Sequence, residues 1–130
     1  MSEIIVDTSA YSYLRRGDKE IQSQLDHATL VVMSPITIGE LTAGSIGGGR
    51  EAANRDYLED FLALPRVFMV DIDEETAERY AIIQNTLRRQ GTPVPSNDVW
   101  LAALAWQHGY KILTRDTHFA KIPQVIVVGI

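Results

Sequence analysis

Five short apolar runs, each followed or preceded by a stretch of helical spacing, constrain this chain more than any other feature: Glu3-Ile4-Ile5-Val6, Leu30-Val31-Val32-Met33, Val67-Phe68-Met69-Val70, Ile112-Leu113 and Val125 to Val128. Runs this short that stay apolar without alternation suit strands covered on both faces. Strands that take turns with helices join into a parallel sheet. The expected fold class is therefore α/β, a three-layer α/β/α domain around a central parallel five-stranded sheet. With 130 residues and a hydrophobic fraction of 45%, the chain supports one such domain, residues 1–130, and leaves no room for a second.

Local signals mark the helices. Asp7-Thr8-Ser9 stops the first run and leads into a helical stretch from about Ala10 to Leu25, broken near Gly17. Ser34-Pro35 opens a helix that carries Glu40, with Ser able to cap and Pro suited to the first helical position. Gly44 and Gly47-Gly48-Gly49 end it in a flexible turn, and no Lys-Ser/Thr follows that would make the glycines a phosphate-cradling loop. Glu51 to Leu64 has helical spacing through Ala52, Leu58, Phe61 and Leu62 and is stopped by Pro65. Asp73 to Arg89 reads as a long amphipathic helix with Ala77, Tyr80, Ala81, Ile83 and Leu87 inward, closed by Gly91. Thr92-Pro93-Val94-Pro95 is an extended link into Ser96, the expected cap of a helix from Asn97 to about His108, and Asp116 to Lys121 makes a helical turn.

Four acidic residues, Asp7, Glu40, Asp98 and Asp116, stand where this pattern predicts burial or a strand end. Asp7 and Asp116 each follow a strand, and in parallel sheets ligands bind beyond such ends, where the strand order reverses. Either residue can equally cap the helix that follows it. Glu40 has Ile36, Ala43 and Gly44 as its helical neighbours, a small apolar sector from which it either reaches water at the rim or meets a cation. Asp98 falls in the first turn of its helix, where the macrodipole favours negative charge. Yet Leu101, Ala102 and Ala105 share its face, and Val99 to Trp106 is apolar all round. A carboxylate in such surroundings is paired or bound to metal. In a chain with no cysteine and no paired histidine motif, hard oxygen donors point to Mg²⁺ or Mn²⁺.

The net charge of -5 argues at first against a broad basic face for nucleic acid. Setting the four candidate ligands aside leaves twelve Lys+Arg against thirteen Asp+Glu, so the acidity is concentrated in the prospective site, which a bound divalent ion would turn electropositive. The absence of cysteine excludes a disulfide scaffold and a thiolate zinc site. No apolar run has the length of a membrane span, and Met1-Ser2-Glu3 does not open a signal peptide, so a soluble cytoplasmic protein is expected.

Taken in order, these motifs resemble the PIN-domain ribonucleases, and among them the VapC-type toxins of prokaryotic toxin–antitoxin pairs. Ile5-Val6-Asp7-Thr8-Ser9-Ala10 looks like the first motif of that family and Ser34-Pro35-Ile36-Thr37-Ile38-Gly39-Glu40-Leu41 like the second. Pro95-Ser96-Asn97-Asp98-Val99-Trp100-Leu101-Ala102-Ala103 looks like the third, and Leu113-Thr114-Arg115-Asp116-Thr117-His118-Phe119 like the fourth. The resemblance implies that Asp7, Glu40, Asp98 and Asp116 hold the metal and that a hydroxyl of Thr8 or Ser9 supports it, with Asn97 and Arg115 as further supporting residues. It also implies an RNA substrate, a homodimer, and an antitoxin that inserts into or across the catalytic cleft. One departure concerns a second metal position: many relatives carry an acidic residue two places after the fourth motif's Asp, and this chain has His118 there.

Phosphodiester hydrolysis needs an activated water, neutralised phosphoryl oxygens and a stabilised leaving oxygen. The expected division of labour has Asp7, Asp98 and Asp116 binding the ion or ions and Glu40 binding or orienting the attacking water. His118 is either a proton carrier or ligand, or a polar residue of a capped turn. Arg15, Arg16, Arg115 and Lys121 are candidate phosphate contacts, Arg115 foremost because it adjoins Asp116. Trp100, Trp106 and Tyr80 have core spacing, whereas Tyr11, Tyr13 and Leu14 offer an apolar patch for self-association or a partner. Two other readings compete. In one, Asp7 is the nucleophile of a phosphatase, although Ser9 stands where that chemistry wants a second acid. In the other, the domain is a non-catalytic protein- or RNA-binding module whose carboxylates only cap helices and pair with arginines.

Overall fold

The computed structural model describes residues 2–128. Along the chain run β1 (Glu3–Val6), α1 (Thr8–Arg15), α2 (Lys19–His27), β2 (Leu30–Met33), α3 (Pro35–Ser45), α4 (Glu51–Leu62), β3 (Val67–Met69), α5 (Glu74–Gln90), α6 (Ser96–His108), β4 (Lys111–Leu113), a 3₁₀ turn (Thr117–Lys121) and β5 (Ile126–Val127). The strands form one parallel sheet of order β3-β2-β1-β4-β5. The chain therefore builds outward from β1 to one edge, then returns and builds to the other, so the reversal of order falls between β1 and β4.

Strand periodicity divides the core in two. Ile5, Val32 and Ile112 point to the face covered by α5 and α6, where they pack with Ile83, Leu87, Val99, Leu104 and Phe119. Ile4, Val6, Val31, Met33 and Leu113 point to the other face and pack with Tyr11, Leu14, Ile21, Leu25, Leu58 and Phe61 of α1, α2 and α4. These are the three layers expected. The α6 helix is the most enclosed element, with Val99 and Leu101 to Ala105 all buried, and its run of alanines lets α5 and the sheet approach closely. Gly91 and Gly109 end α5 and α6 with φ of 68° and 76°, the left-handed closure that glycine adopts without a Cβ penalty. No helix of the described residues is long and apolar enough to cross a membrane.

Several local expectations are corrected. In α5 the inward row is Thr76, Tyr80, Ile83 and Leu87, and Ala77 and Ala81 are exposed because they stand one step round the helix from it. Asp73 caps that helix, with the Thr76 side chain returning a bond to the Asp73 backbone. Ser96 is the first residue of α6 and does not cap it; its hydroxyl meets the Tyr80 hydroxyl at 2.8 Å, and Tyr80 stacks on Trp100 at 4.0 Å. The apolar patch expected from Tyr11, Tyr13 and Leu14 does not form, since Tyr11 and Leu14 are core residues and only Tyr13 is exposed. The last strand is two residues long, and the β3 edge leaves Phe68 and Met69 exposed because the helices cover the central strands more fully than that edge.

Burial sets the weight of each apolar residue. Leu104, fully enclosed, should lose about 2–5 kcal/mol of stability on truncation to Ala, whereas Ile82→Ala on the exposed side of α5 should stay within about 0.5 kcal/mol. Urea unfolding of the two variants checks this, and equal losses would contradict the packing of α5 and α6 on the sheet.

Candidate active site

Asp7 leaves β1 at the point where the sheet reverses its order, and its carboxylate does two things at once. One oxygen, Oδ1, accepts the Ala10 backbone N–H at 2.8 Å and so caps α1. The other, Oδ2, accepts the Thr114 hydroxyl from the end of β4. The Ser9 hydroxyl donates to the same carboxylate at 2.8 Å. Thr114 also accepts the Asp116 N–H at 2.8 Å, and Ser9 Oγ accepts the Arg115 N–H at 3.0 Å. This mesh of hydroxyls staples the ends of β1 and β4 and leaves Asp7 only 5% exposed.

The other three acids reach the same place from different elements. Asp98 arrives from the first turn of α6 with its side chain 18% exposed, and Asp116 from the loop after β4 with 30%. Asp116 caps the 3₁₀ turn by accepting the His118 N–H at 2.8 Å. Glu40, on α3, is exposed at the rim rather than buried in the apolar sector that its helical neighbours suggest. Its Oε1 accepts the Thr8 hydroxyl at 2.6 Å and its Oε2 the Asn97 side-chain amide at 3.4 Å, so it stands upright over the opening. Asp7, Glu40, Asp98 and Asp116, together with Thr8, Ser9, Thr37, Asn97, Ile36 and Leu101, line one pocket of about 250 Å³.

The electrostatics follow from that convergence. Burial pushes the Asp98 carboxyl up to about 6, and the negative charges of Asp116 and Asp7 push in the same direction against the His118 contact. Burial also raises Asp7, resisted by its bonds from Thr114, Ala10 and Ser9, with Asp116 adding to the rise. In both acids burial leads and the neighbouring negative charge adds to it. The pocket's donors are hard carboxylate oxygens, and ligand atoms of Asp98, Asp116 and His118 lie within 4.8 Å of one another. That donor set fits a hard divalent cation.

The cationic candidates are arranged otherwise. The Arg115 guanidinium turns away from the pocket to Asp18, the N-cap of α2, at 2.7 Å, and to Glu20 at 3.7 Å; only its backbone N–H enters the mesh. Lys121 ends the 3₁₀ turn outside the pocket lining. Arg15 lies over the Tyr57 ring and donates to Asn54, and together with Arg16, Arg50 and Arg55 it lines a larger cleft of about 530 Å³ between α1, α3 and α4. That cleft shares Thr8 and Glu40 with the acidic pocket. Sequence reasoning missed Thr114 and Thr37. Thr114 stands between the end of β4 and Asp116, so a buried hydroxyl beside a strand-end acid was the available signal.

A family model described as the PIN domain matches residues 4–125. The chain is similar to Ribonuclease VapC4 of Mycobacterium tuberculosis, 39% identical over 99 residues that make up 75% of each protein. In three dimensions it is similar to a chain in the crystal structure of DNA-bound VapBC from Salmonella typhimurium, with a TM-score of 0.87, 25% identity and 98% of each chain covered. It is also similar to a chain of VapBC-1 from nontypeable Haemophilus influenzae, with a TM-score of 0.85, 26% identity and 96% of each chain covered.

The raised acids make the metal-free fold sensitive to pH. A folded state that keeps a proton on Asp98 up to about 6, when the unfolded chain releases it near 3.8, gains stability that is full below the lower value and lost as pH rises through the upper one. Asp18 and Asp73 act in the opposite sense, but their values are lowered from 3.8 and so titrate below that range. The melting temperature of chelator-treated protein should therefore rise as pH is lowered from about 7 to about 5. Asp98→Asn should raise it at neutral pH and flatten the profile. A wild-type profile flat over that interval would contradict the burial of Asp98 beside Asp116 and Asp7.

Proposed function

The chain belongs to the PIN-domain family, and on that footing we propose that it is a metal-dependent endoribonuclease, the toxin component of a VapBC-type toxin–antitoxin pair. The observation that carries this reading is the meeting of Asp7, Asp98 and Asp116 in one pocket beyond the ends of β1 and β4, with Glu40 at its rim. The similarity to a ribonuclease over three quarters of both chains supports the same reading. Its partners are an RNA substrate and a cognate antitoxin, and it works as a homodimer in the cytoplasm.

Asp7, Asp98 and Asp116 would hold the cation, Mg²⁺ or Mn²⁺. When bound, the cation supplies charge neutralisation at the phosphoryl group and a water that loses its proton near neutral pH. The protein's own share is positional. Ser9 and Thr114 fix the Asp7 carboxylate through their hydroxyls, so that its orientation does not depend on what occupies the pocket. Thr8 and Asn97 hold Glu40 upright at the opening, where it orients the attacking water and accepts its proton. Ile36 and Leu101 form the apolar part of the wall and limit the water that surrounds the reacting groups. The alternative of a non-catalytic module is favoured by the caps that Asp7 and Asp116 make, but those caps use one carboxylate oxygen each and leave the pocket's acids facing one another.

Asn can cap a helix as well as Asp, so Asp7→Asn and Asp98→Asn should keep the fold while cleavage of RNA falls on the order of a thousandfold or more. Cleavage that survives both changes would remove the nuclease reading. A cation at about a hundred times its dissociation constant should stabilise the wild type by about 2.7 kcal/mol and Asp98→Asn far less. A thermal shift with no response to Mg²⁺ or Mn²⁺ would favour the module.

A further inference from the structure

We propose that His118 is a metal ligand in its own right, a nitrogen donor that completes a cation position with Asp98 and Asp116 and biases it toward Mn²⁺ over Mg²⁺. This rests on the metal-dependent nuclease reading and adds to it the identity of a donor and of the preferred ion.

The geometry is that of adjacent corners of a coordination shell. His118 Nδ1 lies 2.9 Å from Asp116 Oδ1 and 3.2 Å from Asp98 Oδ2. Two donors at about 2.1 Å from one ion and at right angles to each other stand about 3.0 Å apart. The backbone that carries the ring is also held in place before any ion arrives. The His118 backbone N–H donates to Asp116 Oδ1, and the next residue, Phe119, is fully buried in the core, so the 3₁₀ turn cannot drift from the pocket. Without an ion Nδ1 is placed to donate to either carboxylate; with a cation bound, the ring would carry its proton on Nε2 and turn the Nδ1 lone pair to the ion.

Imidazole in place of a third carboxylate changes which ion the position suits. Mg²⁺ prefers oxygen and gives up its waters reluctantly, whereas transition ions gain from a nitrogen ligand. Neither of the other histidines competes for that role: the His27 ring nitrogen lies 2.7 Å from the Ser23 carbonyl on α2, His108 stacks on Tyr110, and among the described residues only His118 pairs with Asp98 and Asp116.

The test loads chelator-treated full-length protein with substoichiometric Mn²⁺ and reads nitrogen coupling by pulsed electron paramagnetic resonance, alongside calorimetric titration with Mn²⁺ and with Mg²⁺. Wild type should show the nitrogen coupling of a bound imidazole. His118→Gln and His118→Asp should lose it, and His118→Asp should lower the ratio of Mn²⁺ to Mg²⁺ affinity by about tenfold. Mn²⁺ that binds through Asp98 without nitrogen coupling, or a ratio unchanged in His118→Asp, would overturn the role of His118 and leave the nuclease reading standing. Failure of wild type to bind either ion would overturn both.

Discussion

The burial of carboxylates beside one another at the ends of two adjacent parallel strands is the constraint on which the rest of this molecule turns. A parallel sheet with β1 at its centre brings Asp7 and the loop after β4 together whatever the outer strands do. The α6 helix, apolar nearly all round, then drives Asp98 into the same space, because burying its flanks leaves its first turn nowhere else to point. Isolated acids in such a place would be expensive to desolvate. The fold tolerates them by supplying hydroxyl and amide donors to Asp7 and Asp116, and the proposed cation would take the space between the acids.

Those donors let helix capping and the proposed ligation share the same residues. Asp7 divides its oxygens between the start of α1 and the hydroxyl of Thr114, and Asp116 caps a short turn while facing Asp98 and His118. Each acid is thereby locked in one rotamer by ordinary secondary-structure chemistry. Preorganisation of this kind lowers the reorganisation a bound ion would otherwise demand.

Much of this was legible in the sequence because the signals were periodic or punctuated. Short apolar runs foretold the parallel sheet, Ser34-Pro35 and Gly91 foretold helix ends, and the strand-end positions of Asp7 and Asp116 foretold their meeting. What escaped notice depended on angles rather than on composition. On the inward face of α5, Tyr80, Ile83 and Leu87 stand as expected, whereas Ala77 and Ala81 fall outside it because alanine fits either side of a helix, and Thr76 starts the row instead. For Glu40 the sequence left the rim and a cation partner both open, and the choice of the rim follows from α3 lying at the mouth of the pocket, which no local pattern encodes. The direction of the Arg115 side chain was likewise settled by Asp18, ninety-seven residues away in sequence.

The larger arginine-lined cleft and the acidic pocket meet at Thr8 and Glu40. A shared wall of this sort ties the two spaces together: an occupant lodged among Arg15, Arg16 and Arg50 would press against the carboxylate that stands over the neighbouring opening, with no rearrangement of the strands needed to reach it.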